Sequence, residues 1–198
     1  MRRGTKGTDS EKRILEAAIA LIAERGYRDT KISDIVKAAG LTQAAFYLYF
    51  PSKEAVYQTM LEKFRARLTE HLQAAVMPPS LAAEQFPERV KRNLEGLFEL
   101  FQEQPALTKI FLTEENGLAE AENGIREAII SNLMNNQAAG YVRTDVQPRM
   151  MANSMIGLLV QVTLTELIAH RRPPRDVAHE LTDILLFGLA RPERGAQG

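Results

Sequence analysis

Thr30–Glu54, TKISDIVKAAGLTQAAFYLYFPSKE, is the stretch from which the rest of the chain is best read. Ile32, Ile35, Val36 and Ala39 recur at helical spacing and define one buried face. Gly40 then ends that helix, because a residue tolerant of positive φ sits most comfortably just past a helix C-terminus. Thr42 is a good N-cap for a second helix running through Tyr47. Pro51 disfavours helix at Phe50, and Ser52 is placed to cap the next helix. Two short helices about a Gly-containing turn form a helix-turn-helix, which presents one exposed helix to a DNA major groove.

On either side of this stretch every segment has a helical period. The first helix is predicted from about Ser10 to Glu24, with Ile14, Leu15, Ala18, Leu21 and Ile22 on one face. Thr8-Asp9-Ser10-Glu11 reads as a capping box at its start, and Gly26 closes it. After Ser52 a long helix is expected to about Ala75, carrying Val56, Met60, Leu61, Phe64 and Leu68. Met77-Pro78-Pro79-Ser80 is the clearest break, and helices near 86–103, 106–115, 118–138, 148–170 and 175–190 follow it. The tail Pro192–Gly198 is expected to fray. No stretch alternates with period two for long enough to argue a strand. The predicted fold is all-α, about nine helices. A three-helix helix-turn-helix domain at 1–53 precedes a helical effector-binding and dimerisation domain at 54–198.

The chain has 198 residues and no cysteine, which excludes disulfides, thiolate catalysis and Cys-based zinc sites. The basic start has no apolar stretch behind it, so no secretory signal is expected. No run approaches the ~18 consecutive apolar residues of a membrane span, and a cytoplasmic location is the natural expectation. His71, His170 and His179 lie far apart, and no metalloprotease, phosphate-loop or nucleophile-elbow motif is present. Neither an enzyme nor a metal or cofactor site is expected. The net charge of zero hides an asymmetry: residues 1–53 hold ten Lys/Arg against six Asp/Glu, and the remainder fifteen against nineteen. The positive excess sits with the helix-turn-helix, as phosphate binding requires.

The same segment resembles the TetR/AcrR-type transcriptional regulators. The matching positions are Thr30, Asp34 and Ile35; Ala39, Gly40, Leu41 and Thr42; Tyr47, Tyr49 and Phe50; and Ser52, Lys53 and Glu54. Upstream, Ala17, Ala18, Leu21, Gly26 and Tyr27 fit the family's first helix and its exit. Resemblance and chemistry agree on the DNA-facing residues. Thr42 and Gln43 open the recognition helix, where Gln is able to pair bidentately with adenine. Tyr47 and Tyr49 offer phenolic donors to phosphate, and Lys31 and Lys53 offer charge. Family members usually have Gly-Thr where this chain has Ala44-Ala45, so a hydroxyl contact is lost, and either alanine is able instead to touch a thymine methyl.

Beyond about residue 60 the resemblance weakens. It implies a ligand-binding domain whose last two long helices pair with those of a second subunit. Helix 148–170 is apolar on more than one side, and the last helix carries many apolar residues, so burial by a partner copy is the economical reading. Leu159, Leu167, Leu181, Ile184 and Leu185 are the expected dimerisation residues. A homodimer fits a palindromic double-stranded operator, since two recognition helices must enter grooves roughly 34 Å apart. Phe98, Phe101, Phe111, Met134, Met151 and Met155 are the expected lining of an apolar effector cavity, with Gln161 as a polar group within it. The expected function is a repressor released from DNA by a small, largely apolar effector. A second reading stays open: a small-molecule-binding or protein-interaction module whose helix-turn-helix no longer recognises a specific operator.

Overall fold

The computed structural model describes residues 4–78, 80–114 and 117–189. All regular structure among them is helical, as the periodicity predicts. The α-helices are α1 (Gly4–Arg25), α2 (Ile32–Ala39), α3 (Gln43–Tyr47), α4 (Lys53–Ala74), α5 (Phe86–Glu103), α6 (Pro105–Thr113), α7 (Leu118–Ala138), α8 (Pro148–Val162) and α9 (Pro174–Phe187). A short 3-10 turn, Ala83–Gln85, leads into α5, and a π-helical stretch, Thr163–Ala169, continues α8. Proline occupies the start of α6, α8 and α9, where its missing N–H would have had no helical partner in any case.

Two boundaries differ from expectation for identifiable reasons. Helix α1 begins at Gly4, so Thr8-Asp9-Ser10-Glu11 lies inside it and is not a capping box. The Glu11 carboxylate instead accepts from Lys63 Nζ on α4, at 3.2 Å. The expected single helix at 148–170 widens into π-turns at Thr163, and no local residue signals that change. The tail from Pro192 lies outside the described residues.

The chain packs as two compact units. One takes the chain as far as Ala74 together with Glu103–Ile129, and the other takes Ala75–Gln102 and everything from Ile130 onward. This division does not follow the expected boundary at residue 53, because α4 and α6 pack against α1. The first unit's core joins Ile14, Ala18 and Ile22 of α1 with Val56, Met60, Leu61 and Phe64 of α4 and Ile110 and Phe111 of α6, all buried. Phe64 and Phe111 meet with ring centroids 4.8 Å apart. Each such side chain contributes about 1.5–3 kcal/mol by leaving water. Six large aromatic and aliphatic residues of α5, from Phe86 to Phe101, anchor the second unit, with Leu133, Leu167, Val177 and Leu181 also buried. Tyr141 stacks on Phe86 at 5.1 Å and donates its hydroxyl to the Leu81 carbonyl at 2.5 Å.

Candidate nucleic-acid interface

The turn between α2 and α3 is built as its residues dictate. Gly40 has φ +65°, and the Leu41 N–H reaches back to the Val36 carbonyl at 2.9 Å, closing the end of α2. Arg13 of α1 donates to the carbonyls of Ala39 and Gly40, so the turn is also held from outside. Thr42 is extended, and its Oγ1 accepts from the Ala45 N–H at 3.1 Å, capping α3. On the inner side of α3, Phe46 and Phe50 are buried with centroids 6.1 Å apart, and Tyr47 meets Phe46 edge-on at 5.5 Å. This pinning turns Thr42, Gln43, Ala44 and Tyr47 outward together on one short, exposed surface. Tyr49 is half-buried beside it. Lys31 is exposed in the extended residue that precedes α2.

Lys53 has a different position from the one expected of a phosphate contact. Its ammonium donates to the carbonyls of Tyr27 at 2.7 Å and Thr30 at 2.8 Å, and lies 4.2 Å from the centre of the Tyr27 ring. Two of its three donors are therefore engaged within the fold. Tyr27 in turn donates to Glu54 Oε2 at 2.5 Å and packs on Tyr57 with centroids 4.4 Å apart. Burial, then the hydrogen bond and charge of Glu54, push the Tyr27 phenol up to about 12. Glu54 is held below its ordinary value, first by its hydrogen bond from Gln58 and then by that from Tyr27. Thr30 is buried and donates to the Gly26 carbonyl at 2.9 Å. Together these contacts clasp the loop between α1 and α2 to the start of α4.

Sequence reasoning passed over Leu48, which is 80% exposed at the end of α3, beside a Tyr47 that is 51% exposed. Its signal was available: Leu48 lies four residues after Ala44, one helical turn on the same face.

These features coincide with relatedness. Residues 14–60, which span the whole turn and all of its described supports but Arg13, match the profile of the bacterial regulatory proteins of the tetR family. The HTH-type transcriptional regulator YdgC of Bacillus subtilis, itself described as uncharacterized, is 32% identical over 187 residues, covering 93% of this chain and 95% of that one. The chain is a TetR-family regulator. Among solved structures, this TetR-family regulator superposes on a putative fatty acid metabolism regulator of Clostridium perfringens with a TM-score of 0.73. The two are 24% identical, over 90% of this chain and 99% of the other. FadR of Bacillus subtilis, solved in complex with stearoyl-CoA, gives 0.69 at 18% identity, over 90% and 99%. At such identities the likeness speaks for the fold. As a TetR-family member the chain is a DNA-binding transcriptional regulator, and the family match takes in the α2–α3 surface.

The other expected sites of the TetR-family regulator are redistributed. Phe111 belongs to the first unit, against Phe64, whereas Phe98, Phe101, Met134, Met151, Met155 and Gln161 belong to the second. Met134 and Gln161 are exposed, Phe98 and Phe101 buried, and Met151 and Met155 half-buried. None of the seven lines the groove of about 370 Å³ between α1, α4 and α6, whose floor is Leu15, Ile19, Met60, Phe64 and Leu107. Thr163 is fully buried, and its hydroxyl has no hydrogen-bond partner among the described residues. Of the expected dimerisation residues, Leu167 and Leu181 are each only 3% exposed within a single chain, so they fill its own core and have no surface to offer a partner. Ile184 is exposed, and Leu159 and Leu185 are half-covered; Leu158 and Phe187 are further exposed apolar residues of α8 and α9. No cluster of three potential metal ligands occurs among the described residues.

Proposed function

We propose that the chain is a homodimeric repressor that binds a palindromic operator through α3 and is released by a largely apolar effector held in the second unit. The observation that carries the DNA half is the outward face of α3. Gln43, Ala44, Tyr47 and Leu48 are exposed together while Phe46 fixes the helix from behind. Residues 1–53 do the reading, and residues 54–198 hold the effector and the partner copy.

Dimerisation is supported by uncovered apolar surface. Pro148–Ala169 is long and apolar enough to meet the length and composition of a membrane span, yet little of its most apolar stretch is buried within the chain. Leu158 on this helix and Ile184 and Phe187 on α9 supply apolar surface of the kind a second copy would cover. Sedimentation without detergent separates the readings: a dimer supports this one, whereas a monomer at micromolar concentration sinks it.

An apolar effector is supported by the interior of the second unit, where Phe98 and Phe101 are buried and Met151 and Met155 half-buried. The unpartnered Thr163 hydroxyl is suited to meet one polar group on such a molecule. The fatty acid regulators among the structural neighbours make a long acyl chain the first class to test. Release needs only that the effector favour the DNA-incompetent state; a 100-fold effect requires about 2.7 kcal/mol of differential affinity.

The test is selection of duplexes from a random library, followed by anisotropy titration across salt and acyl-chain additives. Affinity should fall as salt rises. If Gln43→Ala and Tyr47→Phe leave both affinity and preference unchanged, the assignment of the reading face is wrong.

A further inference from the structure

We propose that each operator half-site is read in part through thymine methyl groups, by an apolar row of Ala44 and Leu48 running beside the polar row of Gln43 and Tyr47. This inference rests on the DNA-binding reading above and names the base chemistry it selects. Residues four apart on a helix are neighbours, so the exposed face of α3 divides into two parallel rows, Gln43–Tyr47 and Ala44–Leu48. Leu48 follows Tyr47 in right-handed helical geometry, with its N–H bonded to the Ala45 carbonyl at 3.3 Å, so the row continues through it. Both members of the apolar row are exposed, and Leu48 is among the most exposed large apolar residues described. Neither side chain carries a hydrogen-bonding group.

Major-groove edges present one apolar group, the C5 methyl of thymine. Against any other edge, Leu48 would strip water from a donor or acceptor and return no hydrogen bond. Against a thymine methyl it buries apolar surface on both sides. The neighbouring Gln43 matches the paired acceptor and donor of adenine. The two rows therefore favour a half-site core in which adenine and thymine steps adjoin. Ala44 is short, so a methyl facing it approaches the helix backbone, whereas Leu48 reaches further along the groove.

The experiment uses the full-length protein and the duplex it selects from a random library. Each thymine of one half-site is replaced in turn by deoxyuridine, which removes only the methyl group. Affinity is expected to fall roughly fourfold at one or two positions, the worth of one buried methyl group. Leu48→Ala should abolish the sensitivity at one of those positions, and selection with Leu48→Gln should lose the thymine preference there. Because Leu48 is exposed, both variants keep the fold, which circular dichroism checks; the deoxyuridine series needs no variant at all. If the protein selects a sequence but deoxyuridine changes affinity by less than twofold everywhere, the thymine reading is overturned while DNA binding stands. If no sequence is selected, the DNA-binding reading itself fails and this one with it.

Discussion

Replacing Lys53 by methionine asks whether its charge serves the fold or the DNA. Methionine keeps the chain length and helix propensity but removes the donors that hold the Tyr27 and Thr30 carbonyls at 2.7 and 2.8 Å. A hydrogen bond from a charged group contributes about 1.5–3 kcal/mol. Lys53 is only half-buried, so water recovers part of each bond in the variant, and a net loss of about 2 kcal/mol for the pair is reasonable. The ammonium over the Tyr27 ring, 4.2 Å from its centre, adds on the order of 0.5 kcal/mol. For a chain of this size such a loss lowers Tm by roughly 5–10 °C. Differential scanning fluorimetry measures that shift, and the slope of log K against log salt, taken on the selected operator, measures phosphate contacts. The clasp geometry predicts a lowered Tm with an unchanged slope. A slope that falls by about 0.9 per protomer with Tm held within a degree would refute the clasp and restore Lys53 to the phosphate backbone.

Further outcomes follow from other contacts. Gly40→Ala places a Cβ 2.7 Å from Arg13 Nη2 at φ +65°, and should lower the urea midpoint by an amount worth about 1–2 kcal/mol, with Gly40→Asn milder. Because the Tyr27 phenol is raised to about 12, its contribution to stability is complete below pH 10 and is lost as pH rises from 10 to about 12. Tyr27→Phe should flatten stability over that window and remove one late-titrating phenol from the absorbance curve at high pH; a wild-type curve with every tyrosine near 10 contradicts this. Ile184→Glu with Phe187→Glu should yield monomers by sedimentation while circular dichroism is unchanged, since both side chains are exposed in the single chain.

Much of the helix-turn-helix was legible because its signals are local. Gly40, Thr42 and Ser52 act on backbone groups within five residues, and the structure uses each in the way such a residue can be used. Lys53 was less legible because its partners lie 23 and 26 residues away, and a basic residue beside a helix-turn-helix looks the same whether it faces phosphate or carbonyl. The Thr8–Glu11 capping pattern was genuine in composition, but α1 runs back to Gly4, so the pattern lies inside the helix and Glu11 pairs with Lys63 on α4. Leu167 and Leu181 show the limit of hydrophobic periodicity, which reports that a face must be covered but not whether the cover comes from the same chain. Phe111 and Phe98 are alike in type and flanks, yet they settle in different units because α6 packs on α1 and α4.

The inward commitment of Arg13 and Lys53 has a kinetic side. Arg13 donates to the end of α2 and Lys53 to the loop before it, whereas Arg28, Lys31 and Lys37 are exposed charges of the same segment. Each cation turned to phosphate adds about 0.9 per protomer to the salt slope, and each one spent on the fold adds nothing. Charge spent in this way does not strengthen the grip on arbitrary DNA, so it does not slow departure from wrong sequences. Residence at the right site gains instead from the fit of α3 in the groove.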